Sequence, residues 1–166
     1  FCPTLFGTGA SQETGEHAKM LGMTRVMVCT EKALCDFGVA TQVIDAVKAA
    51  GLEVFVFDQC VADAPSEVCD AGAAFVRENR IDGIVAVGGG STLDTAKAVC
   101  IIISQNGKTI RDYYGIGEDK HEMKLITLST TSGTGSEISQ WAVICDKETG
   151  AKEMPVYKPD LAIVDP

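Results

Sequence analysis

The sequence predicts a doubly wound α/β fold, a Rossmann-like and mostly parallel sheet with helices on both faces, on three observations. Short runs rich in Val and Ile recur: "RVMVC" from Arg25, "EVFVF" from Glu53, "GIVAV" from Gly83 and "KLITL" from Lys124. Their hydrophobicity is continuous rather than alternating, as in strands buried on both faces. The first three runs stand about thirty residues apart, the span of a βαβ unit, with helical patterns between them.

The elements follow in order. A helix is expected over 33–50, stopped by Gly51, and a second over 66–80, opened by Pro65 and a Ser66 cap, with Val68, Gly72, Phe75 and Val76 on one face. A third, over 91–105, is apolar on nearly every side through Leu93, Ala96, Val99, Cys100, Ile101, Ile102 and Ile103, so deep packing is expected. Residues 106–123, with "RDYYGIGEDKHEM", read as a long surface connection before the fourth strand. No linker divides the chain, and its 166 residues are read as one domain, residues 1–166.

Composition excludes several function classes. Fourteen basic against 23 acidic residues give a net charge of −9, which repels nucleic acid and anionic membrane surfaces. A small anion such as a nucleotide is still admissible, because backbone dipoles bind it locally. The seven cysteines are odd in number, form no Cys-x-x-Cys pair and stand apart from any His at ligand spacing. That pattern fits core thiols in a reducing cytoplasm, not a disulfide framework or zinc ribbon. The longest apolar run, "AVCIII" at 98–103, is far shorter than the ~20 residues a bilayer requires. The chain opens on Phe1 without a methionine and closes on Asp165-Pro166, so a piece of a longer protein is expected.

The most informative stretch is "AVGGGSTLDTAKAV", residues 86–99, a strand running through three glycines into a helix. Ser91 is expected to cap that helix and Asp94 to complete a capping box. Glycine at 88, 89 and 90 permits positive φ and close approach of another molecule to the backbone N–H groups. Those amides, with the positive end of the helix dipole, favour a phosphate or pyrophosphate; the bland alternative is a tight turn with no ligand. The stretch is not a Gly-x-Gly-x-x-Gly fingerprint, because Leu93 stands at the third glycine, and "NGKT" at Asn106 lacks the context of a P-loop.

A second loop, "LSTTSGTGSEISQW" at 128–141, is rich in small hydroxyl donors. In a doubly wound sheet it leaves the same carboxyl edge as the glycine turn. No Gly-x-Ser-x-Gly elbow occurs, and His17 and His121 lie in polar settings, so a serine nucleophile is not indicated. Glu31, after the first run, reaches that edge too. It either accepts from an adenosine ribose and repels a 2′-phosphate, or supports a helix start.

"VGGGSTLDTAKA", "TTSGTGSEIS", the opening "LFGTGA" and the closing "PDLAIVDP" together resemble the iron-containing (group III) alcohol dehydrogenases, in order along the whole chain. The resemblance implies the N-terminal nucleotide-binding half of a two-domain architecture shared with dehydroquinate synthase. It implies a nicotinamide dinucleotide, NAD ahead of NADP, with Gly89, Gly90 and Ser91 at the pyrophosphate and Asp94 bordering the site. Thr130, Thr131 and Thr134 would line the adenine and ribose side, Lys152 would match a lysine that reaches a ribose, and Glu31 stands where an NAD-selecting Asp is frequent. Fe2+ or another divalent metal would be bound outside this chain, in a missing helical C-terminal domain, leaving this piece without turnover.

The implied reaction is reversible hydride transfer with a small primary alcohol or aldehyde; a homo-oligomer is a further expected partner. Two positions depart from the family. Ser129 replaces a proline before the Thr-Thr pair, which should loosen the loop, and Asp63-Ala64-Pro65 replaces Asn-Pro at a nucleotide contact. A dehydroquinate synthase-like lyase, a glycerol dehydrogenase-like enzyme and a stand-alone nucleotide-binding module are the alternatives.

Overall fold

All four apolar runs form strands, and the computed structural model, which describes residues 2–117 and 120–166, shows what surrounds them. Phe1, Glu118 and Asp119 lie outside the described residues, and with the last two a short part of the expected 106–123 connection. In chain order the strands are β1 (Thr4–Phe6), β2 (Arg25–Cys29), β3 (Glu53–Phe57), β4 (Gly83–Gly88), β5 (Lys124–Ser129), β6 (Ile144–Cys145), β7 (Lys152–Glu153) and β8 (Leu161–Val164). The helices are α1 (Thr14–Met20), α2 (Lys32–Asp36), α3 (Val39–Ala49), α4 (Ser66–Glu78) and α5 (Gly90–Ser104).

Among the described residues six strands make one sheet in the order β1-β8-β5-β4-β2-β3, every neighbouring pair parallel. The chain moves outward from β2 to β3, then returns to place β4 on the other side of β2. That reversal makes the carboxyl ends of β2 and β4 the topological switch point, where open α/β sheets hold ligands. The short β6 and β7 form a separate antiparallel hairpin.

Alternate side chains of the inner strands feed two core layers, which is why their hydrophobicity is unbroken. Val26, Val28, Val85, Val87, Ile126 and Leu128 pack with Val43, Ile44 and Val47 of α3. Met27, Cys29, Ile84, Ala86 and Leu125 pack with α4 and α5. Burying each large aliphatic chain is worth about 1.5–3 kcal/mol, and a one-residue slip would exchange the two layers, so register is tightly fixed. The edge strand β3 is an exception, with Glu53 and Val56 exposed.

Several expectations need correction. The helix expected over 33–50 is two helices, because Gly38 at φ 81° adopts a left-handed conformation that ends α2 and starts α3. Ser66 is the first residue inside α4 rather than its cap; Pro65 holds the cap position and no side chain caps the end. β1 and β8 also join the sheet, beyond the four strands that the apolar runs predict. Cys29, Cys60, Cys69 and Cys100 are core residues as expected and no disulfide forms, while Cys2, Cys35 and Cys145 are only partly buried. The described part of the 106–123 connection carries a 3-10 turn, Ile110–Tyr113, whose Ile110 is buried. No helix among the described residues is long and apolar enough to cross a membrane.

Candidate functional site

β4 delivers its last residue, Gly88, to the sheet edge, and α5 begins two residues later. Gly89 occupies the cap position at φ −75°, ψ −179°, without a side-chain cap. The expected Ser91 cap and its box with Asp94 are therefore not formed, since the helix starts one residue earlier, at Gly90. Ser91 Oγ instead accepts from the Asp63 N–H at 3.1 Å.

None of Gly88, Gly89 or Gly90 has the positive φ that the sequence leads one to expect. Space excludes a side chain at Gly88 and crowds one at Gly90, whereas Gly89 has ordinary room. A Cβ on Gly88 would lie 2.6 Å from the Thr92 side chain, one on Gly90 would stand 3.2 Å from Thr134, and one on Gly89 would meet Thr131 at 3.5 Å. Thr131 and Thr134 thus stand just across from bare backbone, and any side chain there would fill the gap. The first N–H groups of α5 lack intrahelical acceptors and carry the positive end of its dipole.

Two clefts meet at this turn. The larger, of about 700 Å³, crosses the switch point and the carboxyl ends of β2, β4, β5 and β8, lined among others by Glu31, Gly89, Thr130, Thr131, Ser11 and Asp165. The second, of about 460 Å³, lies beyond Gly90 and is lined among others by Ser91, Asp94, Thr134, Trp141, Lys152 and Met154. All nine residues singled out in the sequence line one cleft or the other: Glu31, Gly89, Thr130 and Thr131 the first, Gly90, Ser91, Asp94, Thr134 and Lys152 the second.

Glu31 holds the cap position of α2 without a side-chain cap bond, lines the larger cleft, and its Oε1 accepts from Thr92 Oγ1 at 2.7 Å. Lys152 is exposed on β7 and pairs loosely with Asp63 at 3.7 Å. In the loop after β5, Ser129 Oγ donates to the Thr131 carbonyl at 2.6 Å, a bond that a proline could not make, and Thr130 N–H donates to Gly88 O at 2.9 Å.

Sequence reasoning missed three groups here. Asp165, after β8, accepts from the N–H groups of Gly9 and Ser11 at 2.8 and 3.0 Å and from Ser11 Oγ at 2.5 Å, closing one end of the larger cleft. These bonds, the Ser11 hydroxyl foremost, hold its carboxyl below the ordinary range. Lys97 has no exposed side-chain surface and donates from Nζ to Asp94, Ser136 and the Trp141 carbonyl. Ser136, within the hydroxyl-rich loop, accepts from Lys97 and donates to Asp94. A lysine three residues after an aspartate in an otherwise apolar helix was the available signal.

Residues 3–166 match the family described as iron-containing alcohol dehydrogenase. The chain belongs to the iron-containing alcohol dehydrogenase family. It is 36% identical to a choline dehydrogenase of Bacillus subtilis, over 96% of this chain and 41% of that protein. It is 34% identical to an NAD-dependent methanol dehydrogenase of Bacillus methanolicus, over 98% of this chain and 44% of that protein. A crystal structure of sulfoacetaldehyde reductase from Bifidobacterium kashiwanohense in complex with NAD+ superimposes with a TM-score of 0.87 at 34% identity, over 99% of this chain and 44% of that one.

The chain thus spans less than half the length of these relatives. Among the described residues no group of three or more His, Cys, Asp or Glu could hold a metal ion. The described residues therefore do not fit the iron of the alcohol dehydrogenase family.

Proposed function

We propose that residues 1–166 are the nicotinamide-dinucleotide-binding domain of a metal-dependent alcohol dehydrogenase that interconverts a small primary alcohol and its aldehyde. NAD is the favoured cofactor, the metal is held outside these residues, and they do not turn over alone. The observation that carries this reading is the meeting of two clefts at Gly89 and Gly90, where a Cβ would fill the space beneath Thr131 and Thr134. A dinucleotide has two bulky ends and an anionic middle, and this site offers two hollows separated by free helix-terminal amides.

Within that reading the chain's own residues have separable tasks. The N–H groups of Gly90 and Ser91 receive the pyrophosphate, together with Gly89, where no side chain obstructs it. Glu31, held through one oxygen by Thr92, keeps its other oxygen to accept from ribose hydroxyls and to repel a 2′-phosphate. Thr130 and Thr131 line the same end, while Thr134, Asp94 and Lys152 border the other. When bound, the nicotinamide supplies hydride chemistry and the protein supplies orientation.

The reading is supported by the family match and by the relative solved with NAD+. Titration of the intact protein with NADH, followed by nicotinamide fluorescence, should give saturable binding that NAD+ displaces. Absence of saturable binding would overturn the proposal. A cytoplasmic location and a homo-oligomeric assembly belong to the same proposal.

A further inference from the structure

Lys97 is costly to bury, and its position says what that cost maintains. It lies beneath the second cleft, and its ammonium reaches two points of the loop after β5: Ser136 Oγ at 2.9 Å and the Trp141 carbonyl at 2.8 Å. Asp94, one helical turn earlier, takes Ser136 Oγ at 2.5 Å and the Val143 N–H at 3.1 Å, and accepts from Lys97 Nζ at 3.2 Å. Two adjacent turns of α5 therefore grip the loop at Ser136, Trp141 and Val143. That loop also carries Thr131 and Thr134, the side chains facing the bare backbone at the start of the same helix.

We propose that Lys97 is a positioning residue for the cofactor: through Ser136 and the Trp141 carbonyl it fixes how far the Thr131–Thr134 segment stands from Gly89 and Gly90. This rests on the dinucleotide reading of the two clefts. An apolar side chain of equal length would fill the same volume but could hold neither the serine nor the carbonyl, and Asp94 would lose its counter-charge. The loop would then keep Asp94 and its backbone ties, Thr130 N–H to Gly88 O and Thr127 Oγ1 to Glu137 O, but lose the two bonds that join Ser136 and Trp141 to the second turn of α5.

The ammonium is faced by Asp94 from its own helix, by Glu137 from the loop and by Cys2 from the start of the chain. Burial lowers its pKa against the pull of Asp94. Because the unfolded chain holds that proton to higher pH, deprotonation of Lys97 does not subtract from global stability. It removes the charge that grips the loop. Cofactor affinity and stability therefore respond differently to alkaline pH, which separates positioning from mere packing.

The test uses the intact protein, NADH as probe, and the variants Lys97→Met and Asp94→Asn/Lys97→Met, the second of which removes both charges at near-constant shape. Val47→Ala, a cavity variant in α3 on the opposite layer, serves as a control for destabilisation alone. Both Lys97 variants should bind NADH at least tenfold more weakly at pH 7, at temperatures where each is folded, while Val47→Ala binds as wild type. Wild-type affinity should fall at alkaline pH sooner than an ordinary lysine would lose its proton, and the double variant should show a flatter profile. NADH affinity unchanged in the folded double variant, or lowered equally in Val47→Ala, would overturn the positioning role. Failure of wild type to bind NADH would instead remove the dinucleotide reading beneath it.

Discussion

At the scale of single residues, the glycines of 88–90 are alike in type and different in task. Gly88 is required by its neighbour Thr92, so Gly88→Ala should cost about 1–3 kcal/mol of stability from overpacking, read by urea unfolding. Gly89 has ordinary room for a methyl group, so Gly89→Ala should leave unfolding nearly unchanged and weaken NADH binding several-fold by occupying the gap under Thr131. Equal loss of stability in both would contradict this division. Glu31 supplies the selectivity counterpart: Glu31→Gly should admit NADPH, seen as a fall in the ratio of NADPH to NADH dissociation constants, whereas an unchanged ratio would leave it a helix-start charge alone. Sequence made these residues visible because three consecutive glycines follow a buried apolar run and an acidic residue ends another. The positive φ expected at the glycines is nevertheless absent, since φ at each position depends on how the strand enters the helix.

At the scale of elements, the inner strands were legible and the outer ones were not. β2, β4 and β5 are buried on both sides and their residue types follow from that alone. β1 has three residues with an exposed flank, and β8 has four. Such short runs gain strand character only from pairing with each other and with β5 across most of the chain length. Asp165 ties the end of β8 to the turn after β1, and its carboxyl is held below its ordinary pKa of about 3.9. A depressed folded pKa contributes stability that is present above the unfolded value and is lost as pH falls through the folded one. Wild type should therefore lose stability faster than Asp165→Asn as pH is lowered below about 4, measured by thermal unfolding across that range. Parallel curves would show that the carboxylate adds nothing beyond its hydrogen-bonding shape.

At the scale of the whole molecule, the parallel sheet brings the ends of β2, β4, β5 and β8 into one crevice, and α5 divides that crevice in two. The acidic surface, net −9, leaves the α5 terminus as the place where an anion is drawn in by fixed dipoles rather than by an excess of basic side chains. A ligand that binds only the folded state stabilises it by mass action. NAD+ at one hundred times its dissociation constant should therefore stabilise the intact protein by about 2.7 kcal/mol, visible as a raised melting midpoint. A midpoint that does not move with NAD+ would speak against cofactor binding at these clefts.

The sequence by itself determined the fold class, the inner strands, the glycine turn and the hydroxyl-rich loop. Each of these is written in local residue choice: unbroken apolar runs, absent side chains and small donors. Only the tertiary structure decided that the nine site residues divide between two clefts and that Asp165 closes one of them. It alone showed that Lys97 is a buried tether beneath the other cleft. Those facts depend on contacts between residues 39 to 156 positions apart, such as Lys97 with Ser136 and Gly9 with Asp165. Local patterning specifies what a segment can bury or hold, but strand order and loop packing decide what faces it.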